Sequence, residues 1–303
     1  MIISARLSCV LALLFIFLIF SSCRKFDGDQ DVPAYVSVDS LSVQTEYSQM
    51  GSTSHKITTL WFYVDGQLAG IYELPVFAPV LFEGNHELRI DPGIYMSGIK
   101  ALRVPYPFYE PIILEEEFIP GQSIDLKDTL TTTYKEACDF VWMVDFEDPS
   151  VSLDSIGQSK VDVHRTHPED NPEAFLSENS RYSGVVRLTP EKDFFLLATN
   201  AGSEEGFDLP QGDNNPVFLE FNFKCNNGFT VGVYINGISQ IVQRSVVNVN
   251  PSEEWNKIYV NLKPVVNAAV GAVDFNIFFE GHLNTGVNEA YIYLDNIKLI
   301  HFK

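Results

Sequence analysis

Val217-Phe218-Leu219-Glu220-Phe221-Asn222-Phe223-Lys224 is the stretch from which the fold is read. In an extended chain Val217, Leu219, Phe221 and Phe223 fall on one side, and Glu220, Asn222 and Lys224 on the other. That period of two is the mark of a half-buried β-strand. It recurs in Phe229, Val231, Val233 and Ile235, in Ile258, Val260 and Leu262, and in Val273, Phe275, Ile277 and Phe279. Asn226-Asn227-Gly228 and Asn236-Gly237 punctuate the strands with residues that tolerate turn geometry. Helical periodicity is absent. Residues 138–303 are therefore expected to form an antiparallel double-sheet sandwich. The segment from Asp148 to Ser183, rich in Ser, Asp, Pro and Asn, reads as long loops.

Residues 35–135 read as a second, smaller antiparallel sandwich of roughly seven short strands. Thr58 to Val64 alternates, Asp65-Gly66 follows, and Gln67 to Glu73 resumes; a DG pair between two such runs is a strong hairpin signal. Further strands are expected at His86 to Ile90, Ile112 to Ile119 and Ser123 to Leu126. Leu74-Pro75, Ala78-Pro79 and Asp91-Pro92-Gly93 are expected to break the pattern, because proline lacks a ladder donor. Glu115, Glu116 and Glu117 suit a solvated strand edge that resists pairing with another chain. The whole is all-β.

Composition agrees. The chain has 303 residues, 46% hydrophobic, with 23 Phe and 13 Tyr, enough for two cores and biased toward sheet. Its net charge of −20 excludes nucleic acid as a partner, since a phosphate backbone would be repelled.

At the N-terminus Arg6 precedes an apolar run from Leu7 to Phe20. That run is shorter than the roughly 20 residues that span a bilayer. Small residues follow it, so residues 1–22 read as a secretory signal peptide. Cys9 leaves with it. Cys138 and Cys225 remain in the body, either as a pair or as two small buried hydrophobes.

Phe20-Ser21-Ser22-Cys23 resembles the lipobox of bacterial lipoproteins, with Phe20 in place of the usual leucine. The resemblance implies acylation of Cys23 and a membrane-anchored protein; several acyl chains are needed for stable anchoring. Residues 23–34 then form a flexible acidic tether. Its Asp27, Asp29 and Asp31 resemble the export signal of Bacteroidota lipoproteins, which implies the outer face of the outer membrane. The run from Phe62 to Ile94 resembles the PEGA-like or immunoglobulin-like domains of surface lipoproteins. Val144-Asp145-Phe146-Glu147-Asp148, Trp255 to Val260 and Tyr291 to Leu299 resemble the jelly roll of carbohydrate-binding modules and galactose-binding-like domains. That likeness implies a core tryptophan at Trp255. It also implies a structural calcium held by Asp145, Glu147 and Asp295, since calcium takes six to eight oxygen ligands. No other cofactor is expected.

No G-x-S-x-G, H-E-x-x-H or phosphate-binding glycine loop occurs, so the chain is not expected to be an enzyme. His164-x-x-His167 is a weak candidate for metal capture beside a solvated-loop reading. Tyr106-Pro107-Phe108-Tyr109-Glu110-Pro111 offers three rings on a proline-stiffened loop, a form suited to a protein interface. The main expectation is thus a non-catalytic accessory subunit at the outer membrane, docking through Tyr106, Phe108 and Tyr109. Its partner would be an outer-membrane β-barrel or another surface lipoprotein. The alternative is a glycan-binding lipoprotein of a polysaccharide-utilisation system. Trp61 and Tyr234 would then be its sugar platforms, with Tyr259, Tyr291 and Tyr293 as substitutes on outward faces.

Overall fold

The computed structural model describes residues 32–126, 130–167, 169, 173–177, 179–199, 206–212 and 214–303. Cys23, the signal segment and most of the tether lie outside these residues. The described residues are all-β apart from two short helices.

The first domain comprises β1 (Ala34–Val38), β2 (Ser42–Gln44), α1 (Tyr47–Met50), β3 (Thr59–Val64), β4 (Gln67–Glu73), β5 (Val76–Val80), β6 (Gly84–Tyr95), β7 (Arg103–Pro105), β8 (Ile112–Phe118), β9 (Ser123–Asp125) and β10 (Thr131–Thr133). The β3–β4 hairpin turns at Asp65 and Gly66 with φ of 49° and 76°, the positive pair that a DG turn supplies. Three features depart from the sequence expectation. Strand β6 runs through Pro92, which pairs with Leu60 while its carbonyl accepts from the Tyr106 amide. Pro79 lies within β5, an edge strand, where the missing donor faces away from the ladder. Two pairings, β1 with β9 and β2 with β10, are parallel.

The second domain comprises β11 (Cys138–Val144), β12 (Leu153–Ser155), β13 (His164–Arg165), β14 (Gly184–Leu188), β15 (Phe194–Thr199), β16 (Val217–Cys225), β17 (Phe229–Gly237), β18 (Ile241–Val249), β19 (Ser252–Asn261), α2 (Lys263–Ala268), β20 (Ala272–His282) and β21 (Ala290–Phe302). One sheet has the order β13-β14-β21-β16-β19, with β11 also on β21; the other has β12-β15-β20-β17-β18. Every pairing in both sheets is antiparallel. The inward sides interleave in a jelly-roll sandwich: Leu219, Phe221 and Phe223 meet Phe229, Val231, Ile277 and Phe279 in one apolar cluster. Each large apolar side chain so buried contributes roughly 1.5–3 kcal/mol.

Strand β21 carries the layout of the molecule. Ile292, Leu294, Ile297 and Leu299 enter the core, and Tyr291, Tyr293, Lys298 and Ile300 face outward. An extra residue at Asn296, φ 47°, lets the alternation change phase at Asp295. The outer face of the six-stranded sheet thereby has two halves. The first domain packs on the half bearing Phe218, Glu220, Tyr259 and Ile300, and the half bearing Lys224, Tyr291 and Tyr293 stays open. The side of β16 that the sequence marks as polar is thus not a solvated face: Glu220 and Asn222 are buried.

Candidate functional site

The domain junction holds the rings that the sequence offers to a partner. Tyr106 and Tyr109 are 2% exposed and Phe108 is 0% exposed. Phe108 packs on Phe302 with ring centroids 4.8 Å apart, and Tyr106 on Phe218 at 5.3 Å. The prolines do stiffen this loop, but the surface it meets belongs to the same chain. This corrects the expectation that Tyr106, Phe108 and Tyr109 present an external interface.

Beneath these rings lies a buried charge network. Glu220 accepts from the Tyr106 hydroxyl at 2.6 Å and the Tyr134 hydroxyl at 2.9 Å, and pairs with Lys257 Nζ at 2.9 Å. Lys298 Nζ donates to the Ser52 carbonyl at 2.8 Å and lies 4.8 Å from the Tyr134 ring. Burial alone would raise the Glu220 carboxyl, but the Lys257 and Lys298 ammonium groups and the Tyr106 hydroxyl outweigh it and hold it below the usual range. Burial, followed by Lys257, pulls Lys298 down to about 7. Burial and then Lys257 likewise pull His55 down to about 4. Two cations share one anion here, and hydrogen bonds from Tyr106 and Tyr134 to Glu220 and from Lys298 to Ser52 tie the two packed parts of the chain together.

The carboxylates assigned to calcium are occupied by hydrogen-bond donors. Asp145 accepts from the Glu147 amide at 3.0 Å and the Tyr47 hydroxyl at 2.5 Å. Glu147 Oε1 accepts the Arg181 and Tyr182 amides at 2.6 and 2.8 Å. Asp295, fully buried, accepts from Ser180, Ser183 and its own neighbour Asn296. All three carboxylates thus accept hydrogen bonds from the protein itself. Among the described residues no three His, Cys, Asp or Glu side chains converge on a metal-binding point. Burial raises the Asp295 carboxyl, and the two serine hydroxyls and the Asn296 amide partly oppose that rise. The ring of His167 packs on Tyr182 at 4.7 Å, and His164 lies in β13. Cys138 and Cys225 are both free and buried; burial pushes the Cys138 thiol up to about 12.

Trp61 and Tyr234 belong to different domains and do not form one platform. Trp61 is half-buried, with its indole nitrogen against Gly93. Tyr234 lies on the outer face of the five-stranded sheet, packed on Phe278 at 5.1 Å and donating to Gln243. Tyr259 is buried in the junction. Trp255 is not a core residue. It sits on the outer face of the six-stranded sheet, where its indole N–H donates to the Glu173 carbonyl at 2.9 Å.

Trp255 packs beside an open groove that is lined by Tyr291 and Tyr293. These two rings lie nearly parallel, 6.2 Å apart at 13°, and Trp255 meets Tyr293 at 6.2 Å. Strand alternation sets their spacing, since residues two apart on one strand share a face. Arg187 lies opposite Tyr291 in β14, its guanidinium 5.7 Å from the ring, and Lys224 lies opposite Tyr293 in β16. Lys224 pairs with Glu173. Tyr291, Tyr293, Arg187, Lys224, Glu173 and Ser252 are among the residues that line a cavity of about 520 Å³. The Tyr291 hydroxyl bonds Glu289, which raises its pKa. Apolar ring faces beside fixed polar groups can hold a molecule that is itself half apolar and half hydroxylated. The tyrosines are legible as outward residues in the sequence. Arg187 and Lys224 are not singled out there, because only strand register brings them beside the rings.

No protein-family model matches the chain, and no curated protein matches it. Solved structures similar to it include one from a study of promiscuous specificity in carbohydrate-binding modules of the β-sandwich superfamily. That match has 10% identity, covers 80% of this chain and 84% of that one, and has a TM-score of 0.36. The C-terminal family 22 carbohydrate-binding module of Clostridium thermocellum Xyn10B is 10% identical over 54% of this chain and 92% of that one, TM-score 0.36. The family 11 module of C. thermocellum Lic26A-Cel5E is 16% identical over 52% and 92%, TM-score 0.33. Likeness of this degree transfers no ligand, and the β-sandwich assignment rests on the strand pairing itself. By that pairing the chain is an all-β sandwich protein. Its own particular character is an aromatic groove on the free half of the larger sheet.

Proposed function

We propose that this protein is a non-catalytic glycan-binding protein, anchored to the outer membrane and exposed at the cell surface through an acylated Cys23. The observation that carries the glycan reading is the groove lined by the parallel rings of half-exposed Tyr291 and buried Tyr293, flanked by half-exposed Trp255 and rimmed by Arg187, Lys224 and Glu173. Sugar rings present an apolar C–H face and an equatorial rim of hydroxyls. The first suits the aromatic floor and the second the charged rim.

The test is retention of the full chain in gels cast with soluble polysaccharides, compared with Tyr291→Ala. Retention on at least one polysaccharide that the variant loses supports the reading. Free migration through a broad panel overturns it.

A docking role at a membrane machine draws on a different surface. Ile238, Ile241, Val270 and Val273 are exposed together at one tip of the five-stranded sheet, with Ile238 96% exposed. An apolar tip of that kind suits a protein partner. Co-purification of a stoichiometric β-barrel from native membranes, lost on Ile238→Asp, would support that role.

A further inference from the structure

We infer that the groove receives an acidic polysaccharide, with an anionic substituent on the sugar held by Arg187 and Arg165; the inference rests on the glycan reading of that groove. Arg187 lines both the aromatic cavity and a second one of about 500 Å³, which continues past it toward β13. The second cavity is lined by His164, Arg165, Thr166, His167, Tyr182, Val185 and Arg187, with no carboxylate among them. This is a local reversal of sign on a chain of net charge −20.

Register makes the two cavities one track. His164 pairs with Val185, Val185 with Tyr293, and Tyr293 with Lys224. That row crosses four strands, about 14 Å at the usual strand spacing. Arg187 and Tyr291 stand one step along it.

Arg165 is held in place before any ligand arrives. Its Nε donates to the Phe146 carbonyl at 2.5 Å, its Nη2 to the Glu147 carbonyl at 2.5 Å, and its guanidinium lies 3.5 Å from the Tyr182 ring centroid. Carbonyls and a ring orient the group without neutralising it. Asp148 feels its charge but makes no ion pair with it among the described residues. Arg187 is exposed and rests on Tyr291, likewise without a carboxylate partner among the described residues. Lys224, by contrast, is already paired with Glu173. Two oriented, unneutralised guanidinium groups beside an aromatic floor suit a carboxylate or sulfate ester carried on a sugar ring, because planar guanidinium matches planar or tetrahedral oxyanions.

The experiment is calorimetric titration of the full chain with three probes: polygalacturonate, dextran sulfate and unsubstituted dextran. Arg187→Gln, Tyr291→Ala and, as a control, Arg244→Gln on the opposite sheet are measured alongside. The expected result is binding to one or both acidic probes at least about tenfold tighter than to dextran, the equivalent of one charge-assisted contact. The two acidic arms separate carboxylate from sulfate recognition. Arg187→Gln should lose about tenfold on the acidic probe, and Arg244→Gln should lose little. Equal binding of dextran and the acidic probes, unaffected by Arg187→Gln, overturns the anionic assignment and leaves the glycan reading standing. Equal losses from Arg187→Gln and Arg244→Gln reduce the effect to general charge attraction and also overturn it. No binding of any polysaccharide, here or in the gel panel, overturns both.

Discussion

Replacing Glu220 by Gln should be the most damaging isosteric change available in this protein. The carboxylate is fully buried and is the anion for two buried ammonium groups, Lys257 and Lys298. The amide keeps the volume, and its carbonyl can still accept from Tyr106 or Tyr134. What disappears is the charge. Leaving a buried charge uncompensated costs about 3–5 kcal/mol. For a chain of this size each kcal/mol shifts the melting midpoint by about 2–4 °C, so the midpoint should fall by about 6–20 °C. The loss should depend on pH in a defined direction. Lys298 sits at about 7 in the folded protein against an ordinary 10.5. Between those values the unfolded chain binds more protons, so this group makes stability rise with pH. Removing Glu220 withdraws the negative charge that favours its ammonium form, which deepens the depression. The part of the variant's deficit that comes through Lys298 should therefore be absent above about pH 7, where the group is neutral in both folded proteins, and should grow as the solution becomes more acidic. Glu220→Gln combined with Lys298→Met should recover part of it, with a coupling of about 1–3 kcal/mol. Urea denaturation at several pH values measures all of this. A single-variant loss under about 1 kcal/mol, or a strictly additive double variant, would refute the electrostatic account of the junction.

Chelation should leave the melting curve unchanged, because amide and hydroxyl donors already bond both carboxylate oxygens of Asp145 and Asp295 and Oε1 of Glu147; a lowered midpoint on adding EGTA would show a calcium that stabilises the folded state by mass action. Cys23→Ser should move the protein from the membrane fraction to the soluble fraction, and persistence in the membrane would sink the lipid-anchor proposal. Tyr291→Ala should weaken glycan retention by roughly 1–2 kcal/mol, the scale of a buried aromatic contact at a binding site, with no change in melting temperature; an equal fall in stability would make the ring structural.

The hairpin at Asp65-Gly66 and the alternation of β16, β17 and β20 were legible because they are local. Two positive-φ positions between alternating runs need no information from elsewhere in the chain. The same local logic misplaced Pro92 as a strand end, because whether a proline interrupts a ladder depends on which side of the strand a neighbour occupies. It also left β14, β15 and β18 unassigned, since short or mixed strands carry too few alternating residues.

For the candidate site the limit is sharper. Sequence alone determined that Glu220, Asn222 and Lys224 point away from the sandwich core, and that Tyr291 and Tyr293 do so too, because side-chain direction in a strand follows from its own two-residue period. It could not determine which part of that outward face is covered. The first domain seals Glu220 with Tyr106 and Tyr134 and meets Asn222 with Ser54, and it stops short of Lys224. The same docking turns a proline-stiffened aromatic loop from a surface for partners into the inside of a junction. Only the tertiary structure decided this, since burial of an outward strand face depends on what a segment more than a hundred residues away lays over it.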